Sequence, residues 1–128
     1  MGYTVGWEQL PFSAYTYNNV ITLVPTLIDP NTPFEVTSWG FVIGHNPDDC
    51  TAIERIPTQM TFSKTNRLPY TKDVMKALIV MVEFGAAHNL VHDDRSNAAY
   101  IEALEEVHKM HPLLSYAQQK AYFISSQG

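Results

Sequence analysis

Apolar and polar positions change rhythm once along this chain. Up to residue 62 the apolar residues come in short runs broken by Pro, Gly, Asn and Asp. Beyond residue 73 they come in long runs at helical spacing. Short runs between turn formers predict strands, and a spacing of three to four over ten or more residues predicts helices. Residues 3–10 alternate weakly and predict a short edge strand. Residues 13–17 and 20–24, separated by Asn18 and Asn19, predict a hairpin, because Asn tolerates the left-handed backbone of a two-residue turn. Pro25 argues against a central strand position for residues 26–28. Asp29, Pro30, Asn31, Thr32 and Pro33 mark a turn. Residues 34–43 are aromatic and β-branched and predict a third strand. Residues 51–62 alternate around Pro57 and predict a further edge strand.

The helical half begins after Pro69. Thr71 is the predicted N-cap of a helix over about 72–92, with Asp73 in its first turn, where the helix dipole favours an anion. Within it, residues 77–82 (Ala-Leu-Ile-Val-Met-Val) are apolar on every side. Such a helix is buried on several sides or lies at an interface. A second helix is predicted over about 96–110, with Ala98, Ile101, Leu104 and Val107 as its apolar stripe and Pro112 as its stop. Ser115 and Gln118 have capping-box spacing and predict a third helix over about 115–125. The predicted fold class is α+β: one domain over residues 1–128, with an antiparallel meander of three to five strands (about 3–62) followed by three helices on one face.

Composition narrows the function classes. The chain is 45% hydrophobic and 12% aromatic but only 16% charged. That is a core-forming composition, with few charges to keep copies apart. Its single cysteine, Cys50, excludes an internal disulfide and suits a reducing compartment. With no apolar leader at the start, the predicted location is cytoplasmic. No stretch reads as a membrane span, because Lys76 and Glu83 interrupt the longest apolar segment. Net charge is −5, and the first 54 residues carry six acids and no Lys or Arg. A strand region without cations is a poor phosphate platform, so nucleic acid is not an expected partner.

Cations concentrate where the rhythm changes. Arg55, Lys64, Arg67, Lys72 and Lys76 face a single acid, Asp73, between residues 55 and 76. Lys64, Thr65, Asn66, Arg67 and Tyr70 stand just before a helix N-terminus, which attracts anions. Lys64, Thr65, Arg67 and Tyr70 are therefore the predicted ligand-binding residues, for a small anionic molecule or an acidic protein partner. The segment has no glycine and is not a phosphate loop.

Other candidates are weaker. His88 and His92, at i and i+4, would share one face of the predicted helix, a metal-ligating spacing. The Glu of a zinc-protease motif is replaced by Asn89, and histidines near a helix end are explained by the dipole. Asp93 or Asp94 could instead cap the next helix. His108 and His111 form a similar weak pair. Cys50 follows Asp48 and Asp49, which disfavour a reactive thiolate. Tyr15 with Tyr17, and Trp39 with Phe41, would each share a strand face and mark either core or a partner surface.

No cofactor, metal or catalytic group is predicted. The sequence best fits a small intracellular non-catalytic binding or assembly module, a homo-oligomer associating through residues 77–82. An enzyme or binding protein for a small anion at residues 62–73, and a metal protein using His88 and His92, are the alternatives.

Overall fold

A computed structural model describes residues 4–32, 34–37, 40–43, 60–64 and 70–123. The architecture is α+β. Strand β1 (Thr4–Gln9) leads to helix α1 (Ala14–Leu23) and a 3-10 turn at Val24–Thr26. Strands β2 (Phe34–Thr37), β3 (Gly40–Ile43) and β4 (Met60–Lys64) follow. Then come helix α2 (Thr71–Glu83), strand β5 (Ala87–His92), helix α3 (Ala98–Met110) and strand β6 (Ala121–Phe123).

Two sheets result. One is a four-stranded sheet in the order β4-β1-β5-β6, and the other is the antiparallel pair β2-β3. β1 is central and antiparallel to both β4 and β5, while β5 and β6 run parallel. Parallel neighbours need a long crossover, and α3 provides it. The predicted edge position of residues 3–10 is therefore corrected, because β1 has a partner on each side. β4 lies at an edge and includes residues 60–62 of the strand predicted over 51–62; residues 51–59 lie outside the described residues. Where one strand is predicted over residues 34–43, Phe34–Thr37 pairs with Gly40–Ile43 as two strands.

The predicted hairpin over residues 13–24 is helix α1. Ser13 caps it, its side chain accepting from the Thr16 N–H at 3.2 Å. Thr16, Val20 and Val24, four residues apart, form its buried stripe. Asn19 does not turn the chain; its amide donates back to the Tyr15 carbonyl at 2.8 Å.

Helix α2 is the centre of the molecule. From Val74 through Val82, every residue except Lys76 is buried against the sheet, α1 and α3. The run at 77–82 is thus covered by its own chain. This removes the ground on which it was expected to form a subunit interface.

The predicted helix over 72–92 ends much earlier, for a local reason. Gly85 takes a left-handed conformation (φ +81°), its N–H bonds the Val82 carbonyl at 3.1 Å, and the Ala86 N–H bonds the Met81 carbonyl at 2.8 Å. This pair of bonds is the Schellman stop, which glycine favours. The chain then turns directly into β5.

Helix α3 faces α2 with Tyr100, Ala103 and Val107, while Ile101 is exposed, so the buried stripe is rotated from the predicted one. Burial pushes the Tyr100 hydroxyl up to about 12. The two helices are laced by ions: Lys72 and Lys76 each reach Glu106 at 2.7 Å. Lys76 also donates to the Leu27 carbonyl at 3.0 Å.

The predicted third helix does not form. The Ser115 hydroxyl donates to Glu83 at 2.7 Å instead of serving a capping box. Tyr116 is left-handed (φ 56°), which is incompatible with continuing a helix. Residues 121–123 join the sheet as β6. Among the described residues no helix is long and apolar enough to cross a membrane.

Candidate functional site

The described residues enclose an apolar groove of about 490 Å³. One wall is α1, through Tyr15, Asn19 and Leu23 at four-residue spacing. These lie one position before the buried stripe, so they face sideways from the core. Phe84, at the end of α2, forms the floor. The second wall is Met110 with the turn His111, Pro112, Leu113 and Leu114.

Local chemistry explains both walls. Pro112 cannot continue α3, so the chain leaves the helix there. The Tyr116 hydroxyl then pins the turn from below, with the Val107 and His111 carbonyls at 3.1 and 2.7 Å. Across the groove, Tyr15 meets Phe84 edge-on with ring centroids 6.3 Å apart. Tyr15 and Tyr17 do not share a face as they would on a strand. Tyr15 is 70% exposed at the groove, whereas Tyr17 stacks on Phe12.

Three large apolar side chains stand open at this groove: Tyr15 at 70%, Met110 at 55% and Leu113 at 98% exposure. Among the described lining residues there is no Asp, Glu, Lys or Arg. The polar groups present are the Asn19 amide, the Tyr15 hydroxyl and the His111 ring, whose Nε2 is buried and lacks a protein partner among the described residues. A wall of this kind can bind apolar surface. Among its described lining residues no nucleophile is paired with a base.

The residues expected to bind an anion are only partly placed. Lys64 ends β4, in register with Thr4. Thr65, Asn66 and Arg67 lie outside the described residues. Tyr70 is half-buried against the core at the start of α2 and makes no side-chain cap. Two of the five cations in this region, Lys72 and Lys76, are committed to Glu106. Asp73 is buried and accepts from the Asp29 N–H at 2.9 Å and the Thr32 hydroxyl at 2.7 Å, anchoring the preceding loop.

The histidine pair is also rearranged. His88 and His92 lie on strand β5, not on a helix. Asn89 is left-handed (φ 54°), and Trp7 faces two residues of β5 where its neighbours face one. This bulge reverses the alternation. His88 therefore points outward, where its Nε2 bonds Glu8 at 2.6 Å, and His92 points inward. The Glu8 carboxyl also accepts from Asn89 at 2.9 Å, and the hydrogen bond from His88 holds it below the ordinary carboxylate value. His92 donates from Nε2 to the Asn97 amide oxygen at 2.5 Å and accepts at Nδ1 from the Asp94 N–H at 3.1 Å. The two rings thus share no site. No cluster of three potential metal ligands occurs among the described residues. Asp94 does serve α3, accepting from the Ser96 and Ala99 N–H groups at 3.1 and 3.5 Å. His108 packs against Tyr116 with ring centroids 4.9 Å apart, and His111 lines the groove. Cys50 and Trp39 lie outside the described residues.

Sequence reasoning missed Phe84, Met110, Leu113 and Leu114. The one legible signal belonged to Leu113 and Leu114, an apolar pair directly after the helix-stopping Pro112. Compared with known proteins, the chain matches no family model, no curated protein and no solved structure.

Proposed function

We propose that the chain is a small non-catalytic binding and assembly module whose working surface is the apolar groove between α1 and the turn after α3. The observation that carries this reading is the cluster of Tyr15, Met110 and Leu113, all exposed around one hollow. Isolated exposed apolar residues are ordinary, but a contiguous group around a concavity marks a contact surface. Rigid elements mount it: α1 is tied to α2, and the turn is pinned by Tyr116.

A neutral solvatochromic dye such as Nile red tests it. Saturable, blue-shifted emission from the wild type that is lost in Leu113→Asp supports the groove. Equal emission from both proteins removes it.

A site for a small anionic molecule or acidic partner at Lys64, Thr65, Arg67 and Tyr70 is the alternative. Its support is the sequence: cations at 64 and 67 ahead of a helix that begins at Thr71.

A further inference from the structure

Thr71, the first residue of α2, is only 7% exposed. Its hydroxyl oxygen is shielded from solvent and has no hydrogen-bond partner among the described residues. Buried hydroxyls are nearly always bonded, so an orphan of this kind points to an acceptor that binds there.

The backbone beside it is in the same condition. The Val74 N–H is the first at this helix end to find a carbonyl, that of Tyr70 at 2.9 Å. The N–H groups of Thr71, Lys72 and Asp73 lie ahead of it, so the helix itself gives them no acceptor. Tyr70, at the N-cap, supplies no side-chain cap. Asp73 is the acid of this first turn, but its carboxylate is drawn to the loop before β2, where the Asp29 N–H and the Thr32 hydroxyl donate to it at 2.9 and 2.7 Å. Lys76 stands 3.9 Å from that carboxylate and offsets its charge.

The side chain of a helical residue leans toward the helix N-terminus, so the Thr71 hydroxyl is aimed at the end where these N–H groups lie. A helical Thr alternates between χ1 wells, so a rotamer step brings a shielded hydroxyl to the rim. Lys72 and Lys76 are already paired with Glu106. The site is therefore built of neutral donors and the positive end of the helix dipole, the arrangement that holds anions at helix N-termini. A phosphate group, with more oxygens than a carboxylate, can meet the hydroxyl and the N–H groups together.

We propose that the N-terminal end of α2 binds a phosphate group, held by the Thr71 hydroxyl and the N–H groups of Thr71, Lys72 and Asp73. This rests on the second reading above, an anion ahead of α2, and moves its centre from the Lys64 and Arg67 side chains to Thr71.

Amide NMR spectra of the protein during titration with inorganic phosphate test it, at fixed pH and with sodium chloride holding the ionic strength constant. The expected result is a saturable movement of the Thr71, Lys72 and Asp73 amide signals. Thr71→Val should weaken binding about tenfold, the worth of one hydrogen bond to a charged group, and Thr71→Ser should keep it. Without phosphate, Thr71→Val should melt no lower than the wild type, because the hydroxyl it removes bonds nothing. Phenyl phosphate separates the sources of the group: binding as tight as that of inorganic phosphate assigns the site to phosphate esters, and binding of inorganic phosphate alone assigns it to the free ion.

Wild-type amides that do not respond to either probe overturn the proposal together with the anion reading it rests on. Equal affinity in the wild type and Thr71→Val overturns the proposal alone. A loss in Arg67→Ala would then return the anion to the side chains ahead of the helix.

Discussion

Thr16 on α1 donates its hydroxyl to the carbonyl oxygen of Phe84, 3.2 Å away at the end of α2. Two helices far apart in sequence are joined there by one side chain. The end of a helix leaves carbonyls without intrahelical partners, and Thr16 supplies one. The same contact sets the groove, because it brings the neighbouring Tyr15 ring against Phe84. It also extends the cap of α1, since the Ser13 hydroxyl lies 3.3 Å from Thr16 Oγ1.

Thr16→Val should therefore lower stability by about 1 kcal/mol, the net contribution of a typical hydrogen bond at a part-buried site. Thr16→Ser should retain most of it. Denaturant unfolding of the three proteins checks this. Equal midpoints for Val and Thr would show that the Phe84 carbonyl is satisfied by water.

Gly85 ends α2 in a left-handed conformation, with nothing within 4 Å of where a Cβ would stand. A substitution there meets backbone strain and no clash. Gly85→Ala should cost about 1–2 kcal/mol, and Gly85→Asn less, because Asn tolerates this conformation better. Thermal melts of both variants measure the difference. A larger loss from Asn than from Ala would contradict the backbone explanation.

Met81 and Val80 are completely buried inside the monomer. Met81→Ala should cost about 2–5 kcal/mol through lost burial and a residual cavity. Met81→Glu should unfold the chain instead of separating intact subunits. Circular dichroism alongside sedimentation distinguishes these outcomes: a folded Met81→Glu monomer would return residues 77–82 to a subunit interface.

The fold is legible where one signal is strong and misleading where two compete. The α2 core run and the Pro112 stop can be read because apolar continuity and a missing N–H have one meaning each. Residues 13–24 cannot, because paired asparagines and β-branched residues resemble a hairpin. The decisive signals there are the Ser13 cap and the four-residue spacing of Thr16, Val20 and Val24. Residues 87–92 read as helix only if Gly85 is tolerated inside it, and Gly85 is the stop. The histidine pair fails for the same reason. Four-residue spacing keeps two side chains together on a helix, but the bulge at Asn89 places His88 and His92 on opposite faces. The groove is nearly invisible in sequence, because its walls come from three segments that only the packing around α2 brings together.

The ion network between α2 and α3 makes stability depend on pH at both ends of the scale. Glu106 sits between Lys72 and Lys76, and their hydrogen bonds hold its carboxyl at about 2, below the ordinary 4.5. A carboxyl lowered by folding contributes its stabilisation fully above the ordinary value and loses it as pH falls toward the lowered one. The window for Glu106 therefore runs from about 4.5 down to about 2. Lys72, raised above its ordinary 10.5 by its hydrogen bond to Glu106, acts in the opposite sense. Its share is present below 10.5 and is lost as pH climbs through the raised value. The Glu106 side chain is 41% exposed, so solvent screens the pairs, and together they contribute about 1 kcal/mol. Glu106→Gln should therefore be about 1 kcal/mol less stable than the wild type at neutral pH. The gap should close below pH 2 and narrow in high salt, because screening shortens the reach of exposed charges. Urea unfolding of both proteins at several pH values, with and without added salt, measures it. A gap that persists unchanged at the acid end would mean that Glu106 acts through packing and not through its charge.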